Sequence, residues 1–335
     1  MAGNKQILLA ERPSGTLEAS HFQLRDAPMP EAKVGEVLVR TILISLDAAN
    51  RAWMQGATYR EAVTAGEVMH SYSIAQVVES RADGFKPGDL VGAETGWQEY
   101  AVLSPDKVSR LPEHRPLSHL LSVLGVAGKT AYHGLIEVGA PKKGETVVVS
   151  AAGGSVGSYV GPIAKALGCR AVGVAGGPEK CQWLIDELGF DAAVDYKAPE
   201  FFKALEEACP DGIDVYYDNT GGPILEAVLF QMNQKGRIAC CGAVSQYDTD
   251  APRSPRGLPG LLVVKRIKME GFIVSDFADK DATCEKQMLA WSESGDIKIV
   301  EDILDGLEKA PEGLVGLLAG QNRGKRMVRV APDPE

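Results

Sequence analysis

The chain has 335 residues, a net charge of −10, 45% hydrophobic residues and 24% charged residues. That length is more than one hydrophobic core usually serves, so two domains are expected, and the acidic balance argues against an electrostatic grip on nucleic acid or an anionic membrane. No stretch approaches the roughly 18 apolar residues that span a bilayer, the first ten residues lack a signal-peptide pattern, and the six cysteines, all from Cys169 onward and none in C-x-x-C spacing, read as reduced thiols. A cytoplasmic protein is expected.

In chain order, the first third shows short apolar runs bounded by turn residues: 37–42 (VLVRTI), 75–78 (AQVV), 89–92 (DLVG) and 100–103 (YAVL). Gly84, Pro87-Gly88 and Pro105-Asp106 punctuate them, which predicts a compact, strongly twisted or barrel-like β-rich domain. From about Gly125 the rhythm becomes strand, turn, helix. The β-branched run 146–150 (TVVVS) is typical of a parallel strand buried on both faces. Runs at 171–174, 192–194, 213–217 and 237–241 follow in the same style. Val156, Val160, Ile163 and Leu167 lie on one helix face, which Pro162 is expected to kink. Pro178 opens a second helix that Gly189 closes, and Pro199 opens a third whose Phe201, Phe202 and Leu205 face the sheet. Residues 249–260 read as a long loop of the kind that forms lids, 268–274 as a strand, 303–318 as a helix and 325–330 as a final strand. The expected fold class is α/β: a Rossmann doubly wound parallel sheet over 125–296, and a β-rich domain over 1–124 that 297–335 rejoins.

The strand ending at Ser150 runs into Ala151-Ala152-Gly153-Gly154-Ser155-Val156-Gly157-Ser158. This is A-x-G-x-x-G, with Ala152 where a dinucleotide fingerprint has its first glycine. Gly154 lets backbone approach a pyrophosphate, Gly157 lets the helix pack close to the strand, and the helix N-terminus, opening through Ser155 and Val156, favours anions. An NAD site would place an acid about 20 residues on, at the tip of the second strand. Here that tip reads Val174-Ala175-Gly176-Gly177-Pro178-Glu179-Lys180. It has no acid, its glycines leave room for a phosphate, and Lys180 can reach one, so the cofactor expected is NADPH. Glu179 is expected to face away.

Further motifs run along nearly the whole chain: Ser45-Leu46-Asp47 with Arg51, Gly96-Trp97-Gln98-Glu99-Tyr100, Gly128-Lys129-Thr130-Ala131-Tyr132, Glu179-Lys180-Cys181, Asp195-Tyr196-Lys197, Asp218-Asn219-Thr220-Gly221-Gly222, the 241–247 segment CGAVSQY, and the 320–325 segment GQNRGK. Together they resemble the zinc-free branch of the medium-chain dehydrogenase/reductase superfamily that holds prostaglandin/leukotriene, curcumin and alkenal double-bond reductases. The resemblance implies a GroES-like catalytic domain completed by the C-terminal tail, a homodimer, and NADPH-dependent reduction of the activated C=C bond of enones and enals. It implies that Lys180 and Tyr196, beside Gly177, hold the adenosine 2′-phosphate and that Asn219 and Asn322 bind the cofactor further along. It also implies that Cys241, Gly242, Ala243, Val244 and Ser245, with Phe272, Ile273 and Val274, run beside the nicotinamide half. Tyr247 is similar to the tyrosine that hydrogen-bonds near the substrate carbonyl. The sequence departs from the branch at Ala48-Ala49, where a proline and an aromatic are usual, at Val126-Ala127-Gly128-Lys129, where Met-Pro-Gly-Leu is usual, and at Asp248, where asparagine is usual. The first departure implies a pocket lacking one aromatic wall.

Enone reduction needs hydride at the β-carbon and a hydrogen-bond donor at the enolate oxygen. Tyr247, after a strand end and a glycine, is the first candidate donor and Tyr59 the second. A zinc alcohol dehydrogenase is the first rival, but no cysteine precedes Cys169 and His70 lies in V-M-H-S without a ligand partner nearby, so no metal is expected. Quinone reduction with the same cofactor and a non-catalytic NADPH-binding scaffold are the other two rivals. No nucleic-acid or membrane partner is expected, only a small-molecule substrate.

Overall fold

The structure is a computed structural model that describes residues 3–56, 58, 60–248 and 255–334. It divides into two compact units, one of Met1–Leu121, Glu301–Gln321 and Arg326–Glu335, the other of Ser122–Val300 and Asn322–Lys325. The expected boundaries lay at 124/125 and 296/297. The contacts divide a few residues away from both, and the short segment Asn322–Lys325 sits with the second unit.

The first unit contains β1 (Gly3–Leu9), β2 (Phe22–Pro28), β3 (Val37–Ser45), α1 (Ala49–Gln55), β4 (Ser73–Ser80), β5 (Leu90–Ala93), β6 (Tyr100–Leu103) and β7 (Val108–Arg110). Strands β1 and β2 pair antiparallel, from Gly3 opposite Pro28 to Leu9 opposite Phe22. The larger sheet centres on β3, which pairs antiparallel with both β4 and β6. A register shift against β4 between Thr41 and Leu43 re-aims the strand. Val37 and Val39 therefore join a core with Val77 and Val91, while Ile44 joins another with Trp53 and Trp97. The expected strands of this region are all present; β1, β2 and β7 carry too little apolar patterning to stand out.

The second unit begins with α2 (Val126–His133), which continues into a π-helical turn at Gly134–Gly139. Then follow β8 (Thr146–Ser150), α3 (Gly157–Ala166), β9 (Arg170–Ala175), α4 (Pro178–Leu188), β10 (Ala192–Asp195), α5 (Phe201–Ala208), β11 (Ile213–Asp218), α6 (Gly222–Gln231), β12 (Met232–Cys240), α7 (Leu258–Lys265), β13 (Lys268–Gly271) and α8 (Asp281–Ser294). The sheet order is β10-β9-β8-β11-β12-β13, and every neighbouring pair is parallel. This is the doubly wound order, reversing at β8. Val147, Val148 and Val149 have no exposed surface, as a strand covered on both faces requires; each contributes about 1.5–3 kcal/mol by burial. The chain ends with β14 (Glu301–Asp305), α9 (Ala310–Leu318) and β15 (Lys325–Arg329), and β15 pairs with β3. The fold class is the expected one: a Rossmann sheet and a GroES-like antiparallel β-rich domain.

Several local expectations are corrected. Residues 303–305 belong to strand β14, not to a helix, because β15 offers its ladder there; Gly306, at φ +97, ends the strand before α9. The strand expected over 268–274 stops at Gly271, and Val274 opens a 3-10 turn. In α5 Leu205 is buried but Phe202 is 48% exposed, pointing away from the sheet. The 249–260 loop is shorter than expected: 249–254 lie outside the described residues, and α7 begins at Leu258. Helix α3 runs through Pro162 as one element. No helix of the described residues is long and apolar enough to cross a membrane.

Candidate functional site

The carboxyl ends of β8, β9, β11, β12 and β13 each open into a loop, and these loops hold nearly all the residues picked out above. After β8, Ala151, one residue before the position of the fingerprint's first glycine, takes the left-handed conformation (φ +46). The turn is closed by Gly154 N–H donating to Ala151 O at 2.9 Å and Ser158 N–H to Gly154 O at 3.1 Å. A Cβ on Gly157 would lie 2.3 Å from the Ala151 carbonyl oxygen, so only glycine lets α3 start this close to the strand. Val156 is the cap residue of α3, and Ser155 and Gly154 precede it in the turn.

At the tip of β9, Gly177 has φ +91 and Pro178 is the first residue of α4, as the sequence predicts; Gly189 closes that helix at φ +70. A Cβ on Gly176 would meet Lys197 Cε at 3.0 Å and the Tyr196 ring at 3.1 Å, so both side chains lean over the bare strand tip. They are set there by Asp195, whose carboxylate accepts from Gly177 N–H at 2.8 Å and Lys197 N–H at 2.9 Å. Turn chemistry at β9 does not reveal this: β9 carries no acid at its tip, but the neighbouring strand β10 brings one in, already engaged by two backbone amides. Lys180, in the first turn of α4, extends along Gly153 and donates from Nζ to Asn322 O at 2.6 Å. Asn322 itself is 3% exposed, and its Nδ2 donates to Gly324 O at 2.8 Å.

The end of β11 is organised by Asp218, the first residue of the 218–222 motif, and Ser150, neither of them expected as a site residue. Asp218, 2% exposed, accepts from the Tyr216 hydroxyl at 2.9 Å and from the Thr220 and Gly221 amides at 3.0 and 2.8 Å. Burial pushes its carboxyl above the usual range, and those hydrogen bonds pull against the rise. Ser150 Oγ accepts from Asn219 N–H at 2.9 Å, while Asn219 Nδ2 donates to Ser150 O at 2.8 Å, tying β11 to β8. A serine ending a buried β-branched run was the available signal.

After β12, the 241–247 segment folds onto the β11 loop. Cys241 and Gly242 N–H donate to Asp218 O at 2.8 and 3.1 Å, Val244 N–H to Asn219 O at 3.3 Å, and Ser245 Oγ to Thr220 O at 2.6 Å. Burial pushes the Cys241 thiol up to about 12. Tyr247 follows one turn of 3-10 helix and bends back, its hydroxyl oxygen accepting from Ala243 N–H at 3.4 Å. That bond uses a lone pair of the hydroxyl oxygen, whose O–H is a donor group. Phe272 lies across Gly134, where a Cβ would be 2.3 Å from its ring, and meets Tyr217 edge-on at 6.2 Å; Ile273 and Val274 continue from it. Lys129, the departure from the branch pattern, binds Asp281 and Glu285 at 2.7 Å each and so joins α2 to α8. Partial burial opposes its charge, but the two carboxylates outweigh that and raise its pKa.

The structure thus gathers residues 154–157, Gly177, Lys180, Tyr196, Asn219, 241–247, 272–274 and Asn322 in the second unit. Tyr59 lies outside the described residues. In the first unit, Ala48 caps α1 and Ala49 packs against the core of Trp53 and Met54. His70 neighbours Arg60, whose Nη2 is 3.3 Å from Nδ1, and burial followed by that positive charge lowers its pKa. Among the described residues no group of three or more His, Cys, Asp or Glu side chains is placed to hold a metal ion.

Two family models match the chain, one described as the N-terminal domain of oxidoreductase over residues 5–111 and one as zinc-binding dehydrogenase over 155–294. The chain is 42% identical to an NADPH-dependent curcumin reductase of Escherichia coli, over 98% of each chain. It belongs to the prostaglandin, curcumin and alkenal reductase branch of the medium-chain dehydrogenase/reductase superfamily. A 2-alkenal reductase (NADP(+)-dependent) of Nicotiana tabacum, also in this branch, is 40% identical over 98% of each chain. Among solved structures, CurA from Vibrio vulnificus in complex with NADPH superposes with a TM-score of 0.93 at 41% identity, covering 98% of this chain and all of that one. The second family model is named for zinc, yet the stretch it matches is the nucleotide-binding unit of this branch member.

Proposed function

We propose that the protein is an NADPH-dependent reductase of the activated C=C bond of α,β-unsaturated ketones and aldehydes, the cofactor when bound supplying hydride to the β-carbon. The observation that carries this reading is full-length identity of about two in five residues with reductases named for such substrates, joined to a nucleotide site whose details fit NADPH. The fit rests on two features: the cradle that a Cβ on Gly157 would fill, and a strand tip bare of side chains at Gly176 and Gly177, where the Asp195 carboxylate is engaged by backbone amides.

The residues divide the work. Gly154, Ser155, Val156 and Gly157 present backbone N–H groups and a helix N-terminus to the pyrophosphate. Lys180 and Tyr196, around Gly177, hold the 2′-phosphate, with Asn219 and Asn322 bracing loops on either side. Cys241, Gly242, Ala243, Val244 and Ser245, with Phe272, Ile273 and Val274, flank the nicotinamide half. The high pKa of Cys241 keeps it a neutral thiol at working pH, so it adds no charge there. Tyr247 hydrogen-bonds through its phenolic O–H to the enolate oxygen, with Tyr59 as a second donor, and the α-carbon takes its proton from solvent water. Purified protein should oxidise NADPH in step with loss of an enone, the product carrying a saturated α,β bond and an intact carbonyl. Consumption of quinones alone, or none of either substrate, would overturn the reading. The reaction is expected to be metal-independent, because no cysteine precedes Cys169 and no group of three or more His, Cys, Asp or Glu side chains among the described residues is placed to hold a metal ion. Activity should survive prolonged chelation, and a loss restored by added zinc would refute this.

The chain is also read as a homodimer, located in the cytoplasm, where six free thiols are at home. Val263 and Val264 on α7 are 76% and 67% exposed, and β13 is the last strand of its sheet with one edge open. A second copy covering both would remove an apolar patch and an unpaired edge together. Sedimentation should give twice the chain mass, and Val263→Asp with Val264→Asp should shift it to monomer; a wild-type monomer would refute the reading.

A further inference from the structure

Four residues from near the C-terminus, Asn322–Lys325, are built into the nucleotide-binding unit, and they make a closed clip. Asn322 Nδ2 donates to Gly324 O at 2.8 Å, closing the turn on itself. Gly324 N–H donates to Gly153 O at 2.9 Å, inside the glycine-rich loop, and Lys325 N–H donates to Val300 O at 3.0 Å. Gly324 is required here: its φ is +70, and a Cβ would sit 2.1 Å from Val300 O. On the outer side the Arg323 guanidinium lies 5.4 Å over the Trp183 ring. Trp183 and the Lys180 stem in turn both rest on Gly153, where a Cβ would meet them at 3.2 and 3.3 Å. The clip also accepts a hydrogen bond from a charged side chain, from Lys180 Nζ to Asn322 O at 2.6 Å.

We infer that this clip is a positioning device for Lys180, and that Asn322 and Gly324 are positioning residues for the preference of NADPH over NADH. The inference rests on the reading above that Lys180 meets the 2′-phosphate. A lysine side chain has four rotatable carbons and loses much rotamer freedom when it grips a ligand. Here the carbonyl of Asn322 and the Gly153 surface hold the chain extended as part of the fold, so that ordering cost does not fall on cofactor binding. The bond takes one of three ammonium donors and leaves the positive charge intact. Asn322 then acts on the cofactor through Lys180, its side chain turned inward to Gly324, and the discrimination extends to residues about 140 positions away in sequence.

The test is a double-mutant cycle read in binding, by cofactor-fluorescence titration of the full chain. Asn322→Ala should weaken NADPH about two- to tenfold, the range for releasing one ordered side chain, and leave NADH unchanged. In a Lys180→Ala background the same substitution should have no effect on either cofactor. Arg323→Ala, which keeps the backbone clip and removes only the Trp183 stack, should give a smaller loss in the same direction and guards against Asn322→Ala failing to fold. In the unaltered protein, hydrogen exchange at the Gly324 and Lys325 amides should slow with NADPH and not with NADH. If Lys180→Ala abolishes the preference while Asn322→Ala lowers both cofactors equally or neither, the clip inference is overturned and the assignment of Lys180 stands. If Lys180→Ala leaves the preference untouched, the assignment itself falls.

Discussion

Lys180→Ala is expected to raise the Kd for NADPH by about ten- to hundred-fold and to leave that for NADH nearly unchanged. NADPH differs from NADH only by the phosphate on the adenosine ribose, so a group that reads this phosphate shows itself as a change in one cofactor alone. A charge-assisted hydrogen bond to phosphate contributes about 1.5–3 kcal/mol, which is the stated range of affinity. The surroundings make Lys180 the group to test. The tip of β9 presents Gly176 and Gly177, and Asp195, at the end of the neighbouring strand β10, accepts from two backbone amides. Its charge is thus committed to shaping the loop in which Tyr196 and Lys197 lean over Gly176. Lys180→Arg, which keeps the charge but not the compact ammonium, should retain most of the preference and separate charge from shape. Equal losses for both cofactors in Lys180→Ala would mean that the side chain supports the loop and reads no phosphate.

The doubly wound sheet was legible in the sequence because its signals are local. Val147, Val148 and Val149 are buried on both faces and so read as an unbroken apolar run, and Pro178 and Gly189 bracket α4 as helix punctuation should. The elements that escaped, or were read with the wrong type, are those whose state is decided by a distant partner. Strand β14 has helix-compatible residues and becomes a strand because β15 lies beside it. Strand β2 is mostly exposed and is held by its ladder to β1. The same division runs through the candidate site. Glycines and the Lys180 position follow from turn chemistry within a few residues. The work of Asp195, the Ser150–Asn219 tie and the clip on Gly153 depend on pairs 18 to 171 positions apart, which no motif spacing encodes.

Tyr247→Phe is expected to lower turnover of every enone and enal by about ten- to a thousand-fold, the range for removing one oxyanion donor, while leaving NADPH affinity nearly intact. Hydride arriving at the β-carbon leaves negative charge on the carbonyl oxygen, and a preorganised donor at that oxygen stabilises the transition state more than the ground state. Tyr247 sits at the carboxyl end of the parallel sheet, one 3-10 turn beyond the Cys241–Ala243 segment, and its hydroxyl oxygen is held by Ala243 N–H at 3.4 Å. That bond engages the phenol from its acceptor side, and the donating group is its O–H. It also draws electron density from the oxygen, which strengthens the donor. Phenylalanine keeps the ring and removes only the hydroxyl, which would lie 3.5 Å from a Cβ on Gly242, so the loop and the cofactor contacts around it should persist. The measurement is single-turnover hydride transfer with reductively deuterated and ordinary NADPH. A slowed step with an undiminished isotope effect would place the loss in the chemistry, whereas a slowed step with the isotope effect erased would place it in substrate or product movement. Normal turnover in Tyr247→Phe would sink the assignment, because the enolate oxygen would then be held by another group, with Tyr59 next in line for substitution. A matched fall in NADPH affinity would sink it too, since it would mark Tyr247 as a support of the nicotinamide loop and not as the donor.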